Sequence, residues 1–326
     1  MNYQTLLQQF SPSNTRIDQE WEALPQHPTI RKLSHQDEYY KAATANFQHN
    51  RYRDVLPFEK TRVKLSSGND YINANYIDLP FTNYRFIATQ APLPITFEPF
   101  WDMVWENDVA VIIMLTRLIE GRIVKAHRYW PDEQENEHFK DLQVFVSRCY
   151  SPCTEIQIRE FTLLKNGESR SVSHIHYTEW HDSVVPNTSK NIRQVYQIAR
   201  LMEMENLSKR EKTNKNPRLP PIVIHCSAGI GRVGTFLSYV SVIEALRKNI
   251  PLNSISIPDI VASLRSQRMG MVQTKIQYEF IYKMVLDHLL EVMSRSKSRA
   301  SLTKSDSCVK TNFLSTQSLH LPYLMI

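Results

Sequence analysis

The chain has 326 residues, enough for one large or two small domains, and with 42% hydrophobic and 22% charged residues it can bury a substantial core. Its four cysteines are too few and too scattered for a disulfide scaffold, and their spacing does not indicate a zinc site. The net charge of +6 fits either an anionic substrate or an ordinary basic surface, and no nucleic-acid-binding motif accompanies it. Neither a signal peptide nor an apolar run long enough to cross a membrane is apparent, so we expect a reducing, cytoplasmic compartment.

The first half of the chain predicts short helices followed by several strands. We expect an N-terminal extension over residues 1–16, a helix over Ile17–Leu24 and helical structure within Thr29–Phe47. The apolar residues of Thr96–Asp108 recur at helical spacing. Runs of aromatic and β-branched residues predict strands at Asp70–Ile77, Tyr84–Gln90, Val109–Thr116, Leu142–Arg148, Glu155–Leu164 and Ser171–Trp180.

The second half of the chain predicts more helices around one further strand. Helical patterns cover Ile192–Glu205, Gly231–Arg247, Ile257–Ser266 and Thr274–Met293, with a solvated loop at Asn206–Pro221 and a strand at Ile222–Cys226. The Ser- and Lys-rich residues 294–326 are expected to form a largely disordered tail. Strands and helices mix without strict alternation, which predicts an α/β or α+β protein with a mixed sheet.

The stretch "VIHCSAGIGRVGTF" combines the residues needed to bind a phosphate group and attack it. Cys226 ends an apolar strand, and a helix begins after it, so free N–H groups and the helix dipole favour an anion there. Three of the seven glycines of the chain, Gly229, Gly231 and Gly234, permit tight turns at this point. Arg232 can hold an oxyanion through two parallel hydrogen bonds, and the positive surroundings favour a thiolate. The pattern indicates covalent phosphoryl transfer to the sulfur of Cys226.

The string "HCSAGIGR" after an apolar strand resembles the signature loop of the cysteine-dependent protein tyrosine phosphatases. Further blocks are similar to that family in the same order: "NRYRDVLPFEKTRVKL", "DYINANYI", "IATQAPL", "FWDMVWE", "VIIMLT", "YWP" and "QRMGMVQTKIQYEFIY". The resemblance covers residues 17–293, which it implies to be one tyrosine phosphatase domain of the single-domain, non-receptor type. It implies a central twisted mixed β-sheet flanked by helices.

The same resemblance implies what the protein acts on and where. Its substrates would be phosphotyrosine-containing proteins, hydrolysed through a cysteinyl-phosphate intermediate without a metal or other cofactor. We expect a monomer that neither binds nucleic acid nor inserts stably into a membrane. It would work in the cytoplasm, or in the cytosol of a host if it is a secreted effector.

The resemblance also assigns roles to individual residues. Cys226 would be the nucleophile, Arg232 the phosphate clamp, Asp182 the general acid and then base, and Gln273 the residue that positions the hydrolytic water. Substrate binding is assigned to Tyr52, Asp54, Ser227, Ala228, Gly229, Ile230, Gly231 and Gln277. Supporting roles are assigned to His225, Lys125, Trp180 and Arg268. The ring of Tyr52 can form one wall of a slot deep enough for phosphotyrosine, and Asp54 can accept a hydrogen bond from the substrate main chain.

Two segments depart from the pattern of the family. The acid loop, usually W-P-D-x-G-V-P, reads "WHDSVVP" here, so His181 stands for a proline and Val184 for a glycine, both of which alter how the backbone can move. Val233 replaces the usual Ser or Thr after the arginine, whose hydroxyl can donate to the departing sulfur. These changes leave two hypotheses open: an enzyme whose phosphoenzyme breaks down slowly, and a module that binds phosphotyrosine and sequesters phosphorylated partners.

Overall fold

A computed structural model of the protein describes residues 3–31, 37–66, 68–133, 135–181, 184–208 and 219–305. The strands are β1 (Arg62–Lys64), β2 (Tyr71–Asp78), β3 (Arg85–Thr89), β4 (Val111–Met114), β5 (Ile119–Glu120), β6 (Ile123–Val124), β7 (Asn136–Phe139), β8 (Leu142–Cys153), β9 (Ile156–Lys165), β10 (Glu168–Tyr177) and β11 (Ile222–His225). The helices are α1 (Tyr3–Phe10), α2 (Asn14–Ala23), α3 (Pro28–Arg31), α4 (Lys41–Ala45), α5 (Phe97–Glu106), α6 (Lys190–Ser208), α7 (Gly231–Arg247), α8 (Ile257–Arg265) and α9 (Lys275–Ser305).

Nine of these strands form one mixed sheet in the order β1-β2-β3-β11-β4-β10-β9-β8-β7. The four central strands β3, β11, β4 and β10 run parallel to one another, and the strands on either side pair antiparallel. The remaining two strands, β5 and β6, form a separate hairpin. The fold class predicted from the sequence, a mixed central sheet flanked by helices, is confirmed.

Strand β4 is apolar throughout and β11 is apolar up to His225, because helices cover both faces of the sheet at its centre. On β11, Ile222 and Ile224 belong to one core and Val223 to the other, as the two-residue period of a strand requires. The first core packs under α7, α8 and α9, and the second packs under α5, whose Phe100 and Trp101 are fully buried. A strand buried on both faces reads as a continuous hydrophobic run, which is why β4 and β11 were predictable.

The N-terminal residues are not a separate extension. Helix α1 packs on α9, and its Leu6 and Phe10 are only 2% and 1% exposed within the first core. Residues 3–16 of this segment therefore belong to the same globular unit, because two apolar residues four apart on one helical face pack into the core, while residues 1 and 2 lie outside the described residues. Ser13 caps α2 by accepting a hydrogen bond from the backbone N–H of Arg16.

Other element boundaries also differ from those predicted. Helix α9 continues to Ser305, so residues 294–305 of the predicted disordered tail are helical, since neither Pro nor Gly interrupts the chain there. Within the predicted helical stretch Thr29–Phe47, the described residues form short helices, among them α3 and α4, and residues 32–36 lie outside the described residues. Residues 209–218 of the predicted loop and 306–326 of the predicted tail lie outside the described residues. Within the part of the chain that the structure describes, no helix has the length and hydropathy needed to cross a membrane.

Candidate active site

The predicted nucleophile lies at the carboxyl end of the central strand. Cys226 directly follows β11, the loop Cys226–Ile230 turns back, and α7 begins at Gly231. Because β3 and β4 flank β11 in parallel, this loop lies where ligands of open α/β sheets bind. Cys226 is 4% exposed, and the backbone N–H of Gly229 donates to its Sγ over 3.3 Å.

Each backbone carbonyl of the loop Cys226–Ile230, which we call the cradle, accepts a hydrogen bond from outside its concave face. The carbonyl of Cys226 accepts from His225 Nδ1 (3.0 Å), and that of Ser227 accepts from Ala91 N (2.8 Å). The carbonyls of Ala228 and Gly229 accept from Arg268 Nη2 (3.0 Å) and Nε (3.0 Å). The carbonyl of Ile230 accepts from both Gly234 N (2.8 Å) and Val272 N (3.2 Å). The C=O and N–H of a trans peptide point in opposite directions, so these bonds turn the amide groups towards the interior of the loop. The cradle is thus an anion-binding nest.

Arg268 braces the cradle from beneath. Besides its two bonds to the cradle, its guanidinium donates to Asn75 Oδ1 over 2.7 Å and to Asn73 Oδ1 over 2.8 Å. Burial lowers the pKa of Arg268 to about 10, so the group remains charged at neutral pH. A buried charge with neutral partners is costly unless its donors are satisfied, and the two asparagines and two carbonyls do this.

Gly229 is required by both backbone conformation and space. Its φ is +73°, and a Cβ there would lie 2.1 Å from the carbonyl oxygen of Thr89 at the end of β3. The cradle therefore crosses the adjacent strand at a distance that only glycine permits.

Arg232 is held in place by a buried carboxylate that the sequence did not reveal. Its Nη1 and Nη2 donate to the two oxygens of Glu120 over 2.6 and 2.9 Å, and Nη1 also donates to the carbonyl of Leu115 over 3.1 Å. The side chains of Arg232 and Glu120 are 2% and 7% exposed. This two-point ion pair fixes the plane of the guanidinium before any ligand binds.

The hydroxyl of Ser227 joins three segments of the site. It donates to the carbonyl of Lys125 at the end of the β5–β6 hairpin over 2.7 Å, so the 2.8 Å contact with Tyr52 is donated by the tyrosine Oη. Tyr52 is half-buried, and Asp54, two residues further on, is exposed at the rim. Lys125 thus contacts the cradle through its backbone.

A chain of hydrogen bonds runs from Arg159 to the cradle. Arg159 Nη1 lies 3.4 Å from His174 Nδ1, His174 Nε2 lies 3.0 Å from Tyr129 Oη, and Tyr129 Oη lies 2.8 Å from His225 Nε2. A guanidinium can only donate and a carbonyl can only accept, so every proton in the chain points towards the carbonyl of Cys226. Burial lowers the pKa of His225 to about 3, which keeps it neutral and rules it out as a general base near neutral pH.

The two predicted glutamines meet above the first turn of α7. Gln277, 1% exposed, accepts hydrogen bonds at Oε1 from the backbone N–H groups of Gln273 (2.9 Å) and Thr274 (3.3 Å). A Cβ on Gly231 would lie 3.1 Å from Gln273 Oε1, so this side chain covers the start of the helix. Gln277 therefore orients the segment that carries Gln273.

The acid loop is described only in part. Trp180 is fully buried and donates through Nε1 to the carbonyl of Val184 over 3.0 Å, while His181 is exposed. Asp182 and Ser183 lie outside the described residues. Val233 is fully buried in the first core, the core that also contains Cys226.

Sequence patterns did not identify the residues that bind the predicted site residues and fix their positions. Glu120, Asn73 and Asn75 carry no local pattern, although a buried arginine always implies a partner that accepts its hydrogen bonds. Among the described residues, no cluster of three or more His, Cys, Asp or Glu side chains is arranged to hold a metal ion.

The similarities to known proteins agree with the geometry of the site. The sequence model of the protein-tyrosine phosphatase family covers residues 46–287, which is most of the chain and includes the cradle. The chain belongs to the protein-tyrosine phosphatase family. Among its phosphatase relatives, tyrosine-protein phosphatase non-receptor type 20 of Homo sapiens is 40% identical over 77% of this chain and 56% of its own length. Tyrosine-protein phosphatase 3 of Dictyostelium discoideum is 38% identical over 91% of this chain and 30% of its own length.

Solved phosphatase structures share the fold over nearly the whole domain. The catalytic domain of human protein tyrosine phosphatase non-receptor type 18 is 31% identical, with a TM-score of 0.75, and the match covers 85% of this chain and 97% of that one. A structure of PTPN18 in complex with HER2 phosphopeptides is 30% identical, with a TM-score of 0.74, and covers 84% of this chain and 99% of that one. The chain thus matches whole solved catalytic domains, while it spans about half or less of the two curated relatives above.

Replacing Gly229 by alanine is expected to destabilise the protein through both strain and a clash. Gly167→Ala is the matched control, since Gly167 has φ of +79° but no atom within 4 Å of an added Cβ. Left-handed strain alone costs about 1–2 kcal/mol, and overpacking against the backbone of Thr89 adds about 1–3 kcal/mol. Chemical denaturation measures the two free energies of unfolding. Equal losses in the two variants would contradict the close approach of the cradle to β3.

Removing Glu120 is expected to cost far more than removing a solvent-exposed partner of an arginine. Glu120→Ala leaves Arg232 buried without its anion, which costs about 3–5 kcal/mol. The control is Glu179→Ala, because Glu179 pairs with Arg117 at 43% and 38% side-chain exposure. That pair contributes about 1 kcal/mol or less. Free energies of unfolding of the two variants, measured side by side, decide the question, and similar losses would refute the buried ion pair.

Proposed function

We propose that this chain is a protein tyrosine phosphatase that hydrolyses phosphotyrosine in proteins through a cysteinyl-phosphate intermediate. One observation carries the proposal: Cys226 lies at the base of a nest whose carbonyls are all bonded outward, beside an arginine fixed by Glu120. Such a nest binds a dianionic phosphate by its amide groups and aims the sulfur at phosphorus.

In the first step the thiolate of Cys226 attacks phosphorus and the bond between phosphorus and the tyrosine oxygen breaks. Arg232 and the cradle amides stabilise the negative charge on the equatorial oxygens. We assign to Asp182 the proton that the leaving phenolate takes up, a contribution of about 10²–10⁴-fold.

In the second step water attacks the phosphorus of the cysteinyl phosphate. Asp182, now ionised, accepts a proton from this water, the S–P bond breaks, and inorganic phosphate leaves with the thiolate restored. Gln273 is suited to orient the water because its side chain covers Gly231 at the edge of the cradle, and Gln277 fixes its backbone.

Selectivity for tyrosine is assigned to the wall of the cleft. The ring of Tyr52 is anchored by its hydroxyl to Ser227, next to the nucleophile, so a substrate ring can pack against it while its phosphate reaches the cradle. Asp54 is exposed beside this wall and can accept a hydrogen bond from the substrate backbone. We place the protein in the cytoplasm, where a free thiolate persists.

The proposal is tested with a phosphotyrosine peptide and the phosphoserine form of the same peptide. The protein should release phosphate from the first and not from the second, and vanadate should inhibit. Cys226→Ser should abolish turnover, since the hydroxyl is a far weaker nucleophile. Cys153→Ser, at the half-buried end of β8, should retain wild-type turnover. Continued turnover by the Cys226→Ser protein would contradict the assignment.

A second candidate function is binding of phosphotyrosine without efficient turnover. It is favoured by Val233, whose buried side chain has no hydroxyl to donate to the sulfur as it leaves the phosphoenzyme. A hydrogen bond to a charged group contributes about 1.5–3 kcal/mol, which slows this one step by about one to two decades when it is lost. The cradle and Arg232 are unchanged, so phosphate binding would persist.

The two candidate functions differ in the rate at which the phosphoenzyme hydrolyses. With p-nitrophenyl phosphate in a stopped-flow instrument, the wild type should show a burst of nitrophenol followed by slow turnover. Val233→Thr should accelerate the slow phase about 10–100-fold and so reduce the burst. Val233→Ala, which changes the packing but adds no hydroxyl, should not accelerate it. A wild type without a burst would show that dephosphorylation of Cys226 is not the slow step.

A further inference from the structure

His127 contacts the loop that carries the substrate-binding tyrosine. Arg51, the residue before Tyr52, donates through Nη2 to His127 Nδ1 over 2.9 Å. The same guanidinium donates to the carbonyls of Ala91 over 2.9 Å and Pro92 over 2.8 Å. His127 is thus one of three acceptors that hold a single arginine, and the only one of the three that can be protonated near neutral pH.

The contact fixes the protonation state of the histidine ring. A guanidinium has donors only, so His127 Nδ1 must be an unprotonated acceptor and the ring proton must lie on Nε2. Burial and the nearby charge of Arg51 lower the pKa of His127, so the neutral ring is the stable form at neutral pH. A protonated Nδ1 would face Arg51 with a second donor and a second positive charge, and would compete for the carbonyl of Pro92.

The charged groups around His127 are basic or directed elsewhere. Arg51 faces it from the loop before Tyr52, and the segment Ala91–Pro92 offers carbonyl groups. On its own segment Lys125 and Arg128 flank it, and Arg128 is directed to the carbonyl of Trp130 and to Asp132. These neighbours oppose protonation at neutral pH and would not hold a protonated ring in the same contact.

We propose that His127 is a positioning residue for the substrate: its neutral Nδ1 holds Arg51, and thereby Tyr52, and protonation of the ring releases this hold. The inference rests on the proposed function for its readout on substrate. His127 lies two residues after Lys125, whose carbonyl is bonded to Ser227, so the end of the hairpin is joined to both the cradle and the Tyr52 loop. Losing the His127 contact would leave Arg51 held only by the carbonyls of Ala91 and Pro92, and Tyr52 with its bond to Ser227 and a less fixed backbone.

The expected consequence is weaker substrate binding at acidic pH. The ring is neutral above its pKa and charged below it, so the contact between His127 and Arg51 is complete at high pH and is lost as the pH falls, while Arg51 keeps its bonds to the carbonyls of Ala91 and Pro92. Relative to a variant whose side chain at position 127 cannot be protonated, the KM of the wild type should rise on the acid side, whereas the kcat ratio of the two proteins should change little, because the contact that is lost positions Tyr52 and not Cys226 or Arg232.

Two substitutions at His127 distinguish the effect of the hydrogen-bond acceptor Nδ1 from the effect of an aromatic ring at this position. In His127→Asn the amide Oδ1 can take the place of Nδ1 and cannot be protonated, whereas His127→Phe retains a ring without an acceptor. With a phosphotyrosine peptide near pH 7.5, His127→Phe should raise KM about three- to tenfold and His127→Asn should match the wild type. The phosphate of the substrate ionises near pH 6 in every experiment. The measured quantity is therefore the KM of the wild type divided by the KM of His127→Asn, and this ratio should rise as the pH falls.

The proposal is overturned if His127→Phe leaves KM unchanged, if His127→Asn is impaired as much as His127→Phe, or if the KM ratio does not change with pH. Should His127→Phe fail to fold, as judged by its unfolding midpoint, His127→Asn and the pH dependence of the KM ratio decide alone. The ratio of dissociation constants of the same two proteins is also measured in the Cys226→Ser background. If the wild type binds the peptide but does not hydrolyse it, the proposed function is contradicted and this inference still stands. Ring ¹⁵N spectra of His127 must show a proton on Nε2 and none on Nδ1 near pH 7.5, and the opposite tautomer would refute the contact in either case.

Discussion

The site depends on one constraint: a loop that turns its amide groups inward must satisfy its carbonyl groups outside. Those outer partners are five residues: His225, Ala91, Arg268, Gly234 in α7 and Val272 before α9. A buried carbonyl without a donor would cost free energy comparable to a lost hydrogen bond. The rigidity of the cradle therefore comes from the surrounding structure, and the mixed sheet, α7 and the segment before α9 are all fitted to it.

The same arrangement explains why the positive groups beneath the cradle divide into two kinds. Arg268 is matched with neutral partners and holds the backbone of the loop, whereas Arg232 is matched with the carboxylate of Glu120 and is the group that the proposed mechanism assigns to the phosphate. Because Glu120 lies on the hairpin whose end contacts Ser227, Arg232, the hairpin and Tyr52 are positioned together. The residues proposed for substrate recognition and those proposed for phosphate binding thus share one set of contacts.

Sequence patterns predicted the parts of the protein whose structure is determined locally. Strand β11, the start of α7 at Gly231 and the residues of the cradle follow from one continuous stretch, and the resemblance to phosphatases supplied Tyr52, Gln273 and Gln277. Partners distant in sequence were not predictable, because nothing near Glu120 marks it as the counter-ion of an arginine 112 residues away. Helix α1 was missed as a core element since two apolar residues on a short helix are equally compatible with a free segment.

The hydrogen-bond chain that starts at Arg159 determines the electrostatic surroundings of the cradle on its buried side. All its protons point towards the carbonyl of Cys226, and Tyr129, whose pKa burial raises, keeps its own. Each bond of the chain therefore turns the positive end of its donor towards the cradle. The two histidines and the tyrosine behind Cys226 thus form an ordered row of neutral dipoles whose combined positive end favours negative charge in the cradle.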